Sequence, residues 1–265
     1  MKLLLFIITV GLINYSHAAD NQVLLTGSST VAPIMLDIAT AFEKQNPKST
    51  IEVQTGGSTR GIIDIKRDLS QIGMISRDLK PTESFLKHKT IAIDGLGIIV
   101  HSSNPVKNLS KQQITDIYLG KIKSWKQLGW VDKPITVVHK AEGRSTLELF
   151  LGYLKIKNSK IKPNLIIGDN EQGIKTIIGN PYSIGYVSIG AANYNIKNKT
   201  PLKLIDLDNI KPSRANIVNK TYPILRSLNL IYKGKLTESS QKLLAFSSGP
   251  EALKVLEKHY VISPQ

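Results

Sequence analysis

The chain has 265 residues, 41% of them hydrophobic and 21% charged, which is enough apolar material to bury a core and too much for intrinsic disorder. It lacks cysteine, which excludes a disulfide framework and a lipid-modified amino-terminal cysteine. The formal net charge of +15 favours anionic surroundings, but the lysines are scattered, aromatic residues are sparse and no recognition motif stands among them, which argues against nucleic acid as a partner.

At the amino terminus, Lys2 precedes an apolar run over residues 3–13 and then Ser16-His17-Ala18-Ala19. That run is shorter than the roughly 18–20 residues of a membrane span, and the small residues suit cleavage after Ala18 or Ala19. Residues 1–19 are therefore read as a secretory signal peptide. With no cysteine to carry lipid, the exported protein is expected to be free in a periplasm.

Beyond the signal, strand and helix patterns alternate. Strands are predicted over 23–26, 51–55, 71–76, 91–100, 135–139, 165–168, 184–188 and 225–232, several of them apolar enough to be buried on both faces. Val31, Ile34, Met35, Ile38 and Phe42 form one helical stripe, and Pro33 is tolerated in a first turn, so a helix is expected from Ser29 or Thr30 to about Gln45. Ser110 is placed to cap a helix over 111–119 that Gly120 ends. Leu147, Phe150, Leu151 and Leu154 mark another, and Pro250 opens the last, which carries Leu253 and Leu256. The class is α/β and doubly wound. No repeat or Ser/Pro-rich linker divides the chain, so any lobes must share strands.

Three segments repeat one design, an apolar strand followed by a Gly/Ser/Thr turn and a helix start. They are Thr26 into Gly27-Ser28-Ser29-Thr30, Thr55 into Gly56-Gly57-Ser58-Thr59-Arg60-Gly61, and Val138 into His139-Lys140-Ala141-Glu142-Gly143-Arg144-Ser145-Thr146. The first N–H groups of a helix have no backbone partner and lie at the positive end of its dipole, so such turns suit small anions. Hydroxyls add directed donors, and Arg60, Arg77, Lys140 or Arg144 are candidates for charge-assisted bonds worth about 1.5–3 kcal/mol each.

Other chemistries lack parts. GxxxxGK[ST] is absent, Gly95-Leu96-Gly97 is an incomplete dinucleotide fingerprint, and Gly56-Gly57-Ser58 lacks the second glycine of a nucleophile elbow. His88, His101, His139 and His259 show no metal-ligand spacing. No metal and no cofactor are expected, and an exported hydrolase using Ser58 or Ser29 is the weaker alternative class.

The order of several short motifs resembles the phosphate-binding proteins of phosphate ABC importers, within the two-lobed periplasmic solute-binding protein superfamily. The motifs are Leu25-Thr26-Gly27-Ser28-Ser29-Thr30, Gly57-Ser58-Thr59-Arg60-Gly61-Ile62, Ile72-Gly73-Met74-Ile75-Ser76-Arg77, Ala92-Ile93-Asp94-Gly95, Asn104-Pro105-Val106, Ile184-Gly185-Tyr186-Val187-Ser188 and Tyr222-Pro223-Ile224-Leu225-Arg226. The likeness implies a type II periplasmic-binding-protein fold whose lobes are joined by two crossing strands, near 98–102 and 222–231. Lobe I would be discontinuous, 20–99 and 225–265, and lobe II would be 100–224, with the anion in the cleft between them.

By position, the resemblance implies contacts from Ser29, Thr30 and the Val31 amide, from Ser58 or Thr59, from Ser76 and Arg77, and from Lys140, Gly143, Arg144, Ser145 and Thr146, with Glu142 and Arg60 in support. Two departures bear on selectivity. Arg77 stands where many members carry Asp, and Lys140 where many carry Arg. Phosphate near neutral pH carries a proton that a buried acceptor distinguishes from fully deprotonated sulfate, and Arg77 cannot accept. The implied function is a monomeric, non-catalytic carrier that delivers inorganic phosphate to an ABC-transporter permease. Sulfate, molybdate or tungstate binding, or a role as phosphate sensor or scavenger, are the alternatives on the same fold.

Overall fold

The computed structural model describes residues 21–264; the expected signal segment over residues 1–19 lies outside them. The first part of the chain runs β1 (Gln22–Gly27), α1 (Ala32–Gln45), β2 (Thr50–Thr55), α2 (Ser58–Lys66), β3 (Ile72–Ile75) and β4 (Lys87–His101). Next come β5 (Asn108–Leu109), α3 (Lys111–Tyr118), β6 (Thr136–Lys140), α4 (Ser145–Leu154), β7 (Leu165–Ile167), α5 (Asn170–Gly179), β8 (Ser183–Ser188), α6 (Ile189–Lys197), β9 (Leu202–Leu207) and α7 (Arg214–Val218). The chain returns through β10 (Leu225–Tyr232) to α8 (Glu238–Phe246) and α9 (Pro250–Lys258).

Local rules account for the helix ends. In α1 the stripe Ile34, Met35, Ile38 and Phe42 is buried, and Pro33 falls in the first turn, where a missing N–H breaks no intrahelical bond. The helix begins later than expected because residues 28–31 form a turn in which the Ser28 carbonyl accepts from the Val31 and Ala32 amides (3.2 and 3.0 Å). Ser110 caps α3 through a reciprocal box with Gln113, and Gly120 follows with φ +73°.

The strand order β2-β1-β3-β10-β4-β8-β6-β7 divides at β4, which has 15 residues. Up to Gly95 this strand pairs with β10, and from Leu96 onward it pairs with β8 and then β9. One strand thus belongs to two sheets, and the Leu96 amide donates to the Ile224 carbonyl (3.0 Å) where the returning chain passes beside it. The partner change falls earlier than the expected 98–102, because the pairing switches at Gly95 and Leu96 while the apolar run continues to Val100.

Two α/β lobes result, each with its own core. One is built on Leu25, Met35, Ile38, Phe42, Met74 and Leu228, the other on Tyr118, Trp125, Phe150, Tyr186 and Ile205. Two expectations change. The strand β9, with its short partner β5, was missing from the predicted set, and the strand expected over 165–168 is the shorter β7, an edge with Ile166 65% exposed.

Beneath the second lobe's cleft face, Phe150 stacks on Tyr186 with ring centroids 3.9 Å apart and planes 9° apart, and Tyr118 meets both rings. The Tyr186 hydroxyl accepts from the Lys140 amide (3.2 Å), so this aromatic cluster fixes the end of β6. Phe150→Ala is expected to cost about 3–5 kcal/mol of stability, read from urea unfolding.

Candidate functional site

The strand-turn-helix segments of the two lobes face one another. In the first, the Ser28 hydroxyl accepts from the Thr30 amide (3.2 Å), and the Thr30 hydroxyl is left to point inward from a buried residue. In the second, Ser58 opens α2 and its hydroxyl accepts from the Ser76 amide (3.2 Å) just beyond β3, joining two turns of the first lobe. In the third, Gly143 (φ +79°) and Arg144 lead into α4, whose first residues Ser145 and Thr146 are buried.

Arg226, on β10 beside the lobe junction, connects these turns. Its guanidinium is held by Asp94 of β4 through Nε (3.0 Å) and Nη2 (2.8 Å), with both side chains 1% exposed. The remaining N–H groups reach the Thr146 hydroxyl (2.9 Å), the Thr30 hydroxyl (3.2 Å) and the Ser76 hydroxyl (3.4 Å). Hydroxyls from three turns on two lobes therefore meet at one planar fork. Asp94 also accepts from the Gly190 amide at the start of α6 (3.2 Å), which anchors the pair to the second lobe.

The far wall is Lys140, Asn170 and Arg144. The Lys140 ammonium donates to the Asp169 carbonyl (2.5 Å) and to Asn170 Oδ1 (3.3 Å), and Asn170 Nδ2 donates back across the cleft to the Thr30 hydroxyl (3.2 Å). Arg144 Nε and the Ser145 hydroxyl are buried without a partner among the described residues, so each retains a donor for a small polar guest. Beside the cluster a groove of about 400 Å³ runs between the lobes, lined by Ser29, Thr30, Leu36, Asn170 and Tyr194 among others.

The lobes touch directly at the mouth. The Thr59 amide donates to the Gly143 carbonyl (3.2 Å), so Thr59 makes a lobe contact, while the neighbouring Ser58 hydroxyl accepts from the Ser76 amide within the first lobe. Gly57 (φ +92°) has to be glycine there, since a Cβ would lie 2.6 Å from that same carbonyl and 2.8 Å from Arg144 Cδ.

Several expected contributors do not enter the cluster. Arg77 turns its guanidinium to Glu83 (2.7 and 2.8 Å) and to Glu148 of the opposite lobe (3.5 Å). Burial works against its charge, but these carboxylates outweigh it and hold Arg77 above the ordinary guanidinium range, with Glu83 correspondingly lowered. Arg60 is spent on Asp64, Gln54 and the Thr55 carbonyl. Glu142 is exposed and accepts from Asn158 (3.1 Å), so it orients neither Lys140 nor Arg144. The Val31 amide is engaged by Ser28.

Conversely, Arg226, Asp94 and Asn170 were absent from the expected site. Asp94 had a sequence signal, a lone carboxylate inside an apolar strand, which is costly unless a cation pairs with it. Among the described residues no cluster of His, Cys, Asp and Glu is arranged to hold a metal, and no helix is long and apolar enough to cross a membrane.

A two-lobed α/β protein whose polar side chains converge where strands cross between the lobes is built as a ligand-closing binding protein. A family model described as a PBP superfamily domain matches residues 14–248, and the chain belongs to that superfamily. It is 28% identical over 250 residues to the phosphate-binding protein PstS of Bacillus subtilis, covering 92% of this chain and 81% of that one. Among solved structures it resembles one from Clostridium perfringens with bound phosphate, described as a phosphate ABC transporter substrate-binding protein. The identity is 34% and the TM-score 0.86, over 92% of this chain and 100% of the other. An ABC-type phosphate transport receptor from Vibrio cholerae is 30% identical with a TM-score of 0.74, over 91% and 100%.

Removing one member of a buried ion pair leaves the other uncompensated. Asp94→Ala is expected to destabilise the protein by about 3–5 kcal/mol in denaturant unfolding, and Asp94→Ala/Arg226→Met to recover part of that loss.

Proposed function

We propose that this protein captures inorganic phosphate between its lobes and presents it to the permease of an ABC importer. The observation that carries this reading is the convergence of the Thr30, Ser76 and Thr146 hydroxyls on the Arg226 guanidinium, together with the donors of Arg144 and Ser145 at the start of α4 that have no partner among the described residues. That set supplies the directed donors and positive charge a small tetrahedral oxyanion needs. Relatives named for phosphate binding, one of them with phosphate in its structure, support the same ligand here.

Capture works by population shift. The ligand bonds to both lobes only when they are together, so its contacts favour the closed form, and the permease reads that form. The lobes are taken as 21–95 with 225–264, and 96–224, following the change of pairing in β4 and the return into β10. The protein acts as an exported monomer, free of a lipid anchor, and carries its ligand without transforming it. Turnover of a chromogenic phosphate ester by the purified protein would reinstate the hydrolase alternative.

Calorimetry with phosphate, sulfate and molybdate tests the ligand directly, and phosphate is expected to bind most tightly. Tighter sulfate or molybdate binding would reassign it. Arg144→Ala is expected to weaken phosphate at least tenfold, about 1.4 kcal/mol. Arg77→Ala is expected to do less, because its side chain lies at the rim on Glu83 and Glu148.

Gly57→Ala probes closure. A Cβ there collides with Gly143 and Arg144 only when the lobes meet, so small-angle scattering with saturating phosphate is expected to show a larger radius of gyration than for the unaltered protein.

A further inference from the structure

Lys140 is only 3% exposed, but among the described residues no carboxylate lies within bonding distance of its ammonium, whose acceptors are the Asp169 carbonyl and the Asn170 side-chain oxygen, both neutral. The charged groups facing it come from several elements. Arg226 on β10 and Arg144 before α4 oppose its charge, and Asp169 and Glu171 at the start of α5 favour it. Both carboxylates are already engaged, Asp169 Oδ1 by the Gln172 amide (2.8 Å) and Glu171 Oε1 by Asn195 (3.3 Å). On β6 and β8, the His139 ring bonds the Tyr186 hydroxyl (3.0 Å) and Asn158 (2.9 Å), and burial lowers its proton affinity.

We propose that Lys140 couples anion capture to proton uptake: at mildly alkaline pH its side chain gives up its proton in the unliganded cleft and regains it, as the ammonium, when a dianion enters. This rests on the phosphate reading above. Three cations around one cleft repel one another, and of the three only the lysine can release its charge, since guanidinium stays protonated. Burial, with Arg226 and Arg144 adding to it against Asp169, pushes Lys140 down to about 7.

A bound dianion supplies the missing counter-charge and raises that value. The step balances as amine plus solvent proton plus hydrogenphosphate giving ammonium paired with hydrogenphosphate, with no bond in the ligand altered. Because the proton affinity is higher in the bound state, affinity is greatest below the free-state value. It falls as pH rises above about 7, by at most about tenfold per pH unit, until the bound-state value is passed.

The test is phosphate calorimetry near pH 8.5, where the ligand is already the dianion, repeated in buffers of different ionisation enthalpy. At that pH the unaltered protein is expected to take up between about a half and one proton per phosphate. Lys140→Arg, which cannot lose its charge, and Lys140→Met, which has none, are both expected to take up none and to lose the fall in affinity between about pH 7.5 and 9. Phosphate binding without uptake in the unaltered protein, or uptake that persists in both variants, overturns the coupling while leaving phosphate capture intact. Absence of any phosphate binding overturns the capture reading and the coupling with it.

Discussion

The buried pair between Arg226 and Asp94 is the constraint on which the cleft depends. A guanidinium taken out of water costs several kcal/mol unless its N–H groups are bonded and its charge is opposed, and Asp94 does both through two contacts on one edge of the fork. That arrangement fixes the guanidinium plane, so the N–H groups not used by Asp94 point toward the hydroxyls of Thr30, Ser76 and Thr146. A lysine at the same place would supply charge without this fixed geometry. The pair sits where β4 leaves one sheet for the other.

Closure is balanced by modest terms. The direct bonds between lobes among the described residues are few: the Thr59 amide to Gly143, the Gly190 amide to Asp94, Asn170 to Thr30, Arg226 to Thr146, and the rim contacts of Glu148 with Arg77 and Lys80. The bonds that are neutral at both ends contribute about 0.5–1.5 kcal/mol each, those to a charged group such as the Arg226 guanidinium about 1.5–3 kcal/mol, and exposed ion pairs such as Lys80 with Glu148 about 0–1 kcal/mol. A sum of that size lets lobes close without locking them. A guest that bonds to both lobes then decides the equilibrium through its differential affinity, which is what a carrier that must also release its cargo requires.

Much of this was legible in the residues because the signals are local. The α1 stripe, the Ser110 cap and the strand-turn-helix order after β1, β2 and β6 depend on neighbours a few positions apart, and each is present, apart from a later start to α1 and a β6 that runs through His139 and Lys140. What was not legible depends on distant partners. Arg77 follows Ser76, the residue whose hydroxyl meets Arg226, yet its side chain is drawn to Glu83 six positions on and to Glu148 in the other lobe, a competition that spacing along the chain does not reveal. Arg226 is separated from Asp94 by 132 positions and meets it only because β10 returns antiparallel to β4. β9 escaped because its six residues mix apolar and polar side chains on a strand that completes a sheet begun by β4 and β8.

Charge acts on this protein at two ranges, and only one of them selects. The +15 surface raises the local concentration of any anion, but beyond about 8 Å at physiological ionic strength that field is screened, and it treats phosphate and sulfate alike. Selection has to come from groups that water does not reach. There, Asp94 largely cancels Arg226, so this pair contributes direction more than net charge, and the positive excess rests with Arg144, joined by Lys140 once it is protonated. The other carboxylates near the cleft are committed elsewhere, Glu83 and Glu148 to Arg77 and Glu142 to Asn158. The oxygens left to meet a ligand proton are then mainly neutral, such as those of Asn170, Ser145 or the Asp169 carbonyl, beside the one unengaged oxygen of the Asp169 carboxylate. Neutral acceptors oppose a fully deprotonated oxyanion less strongly than a carboxylate does, so discrimination in this cleft rests on the geometry of its donors more than on repulsion from a fixed negative charge.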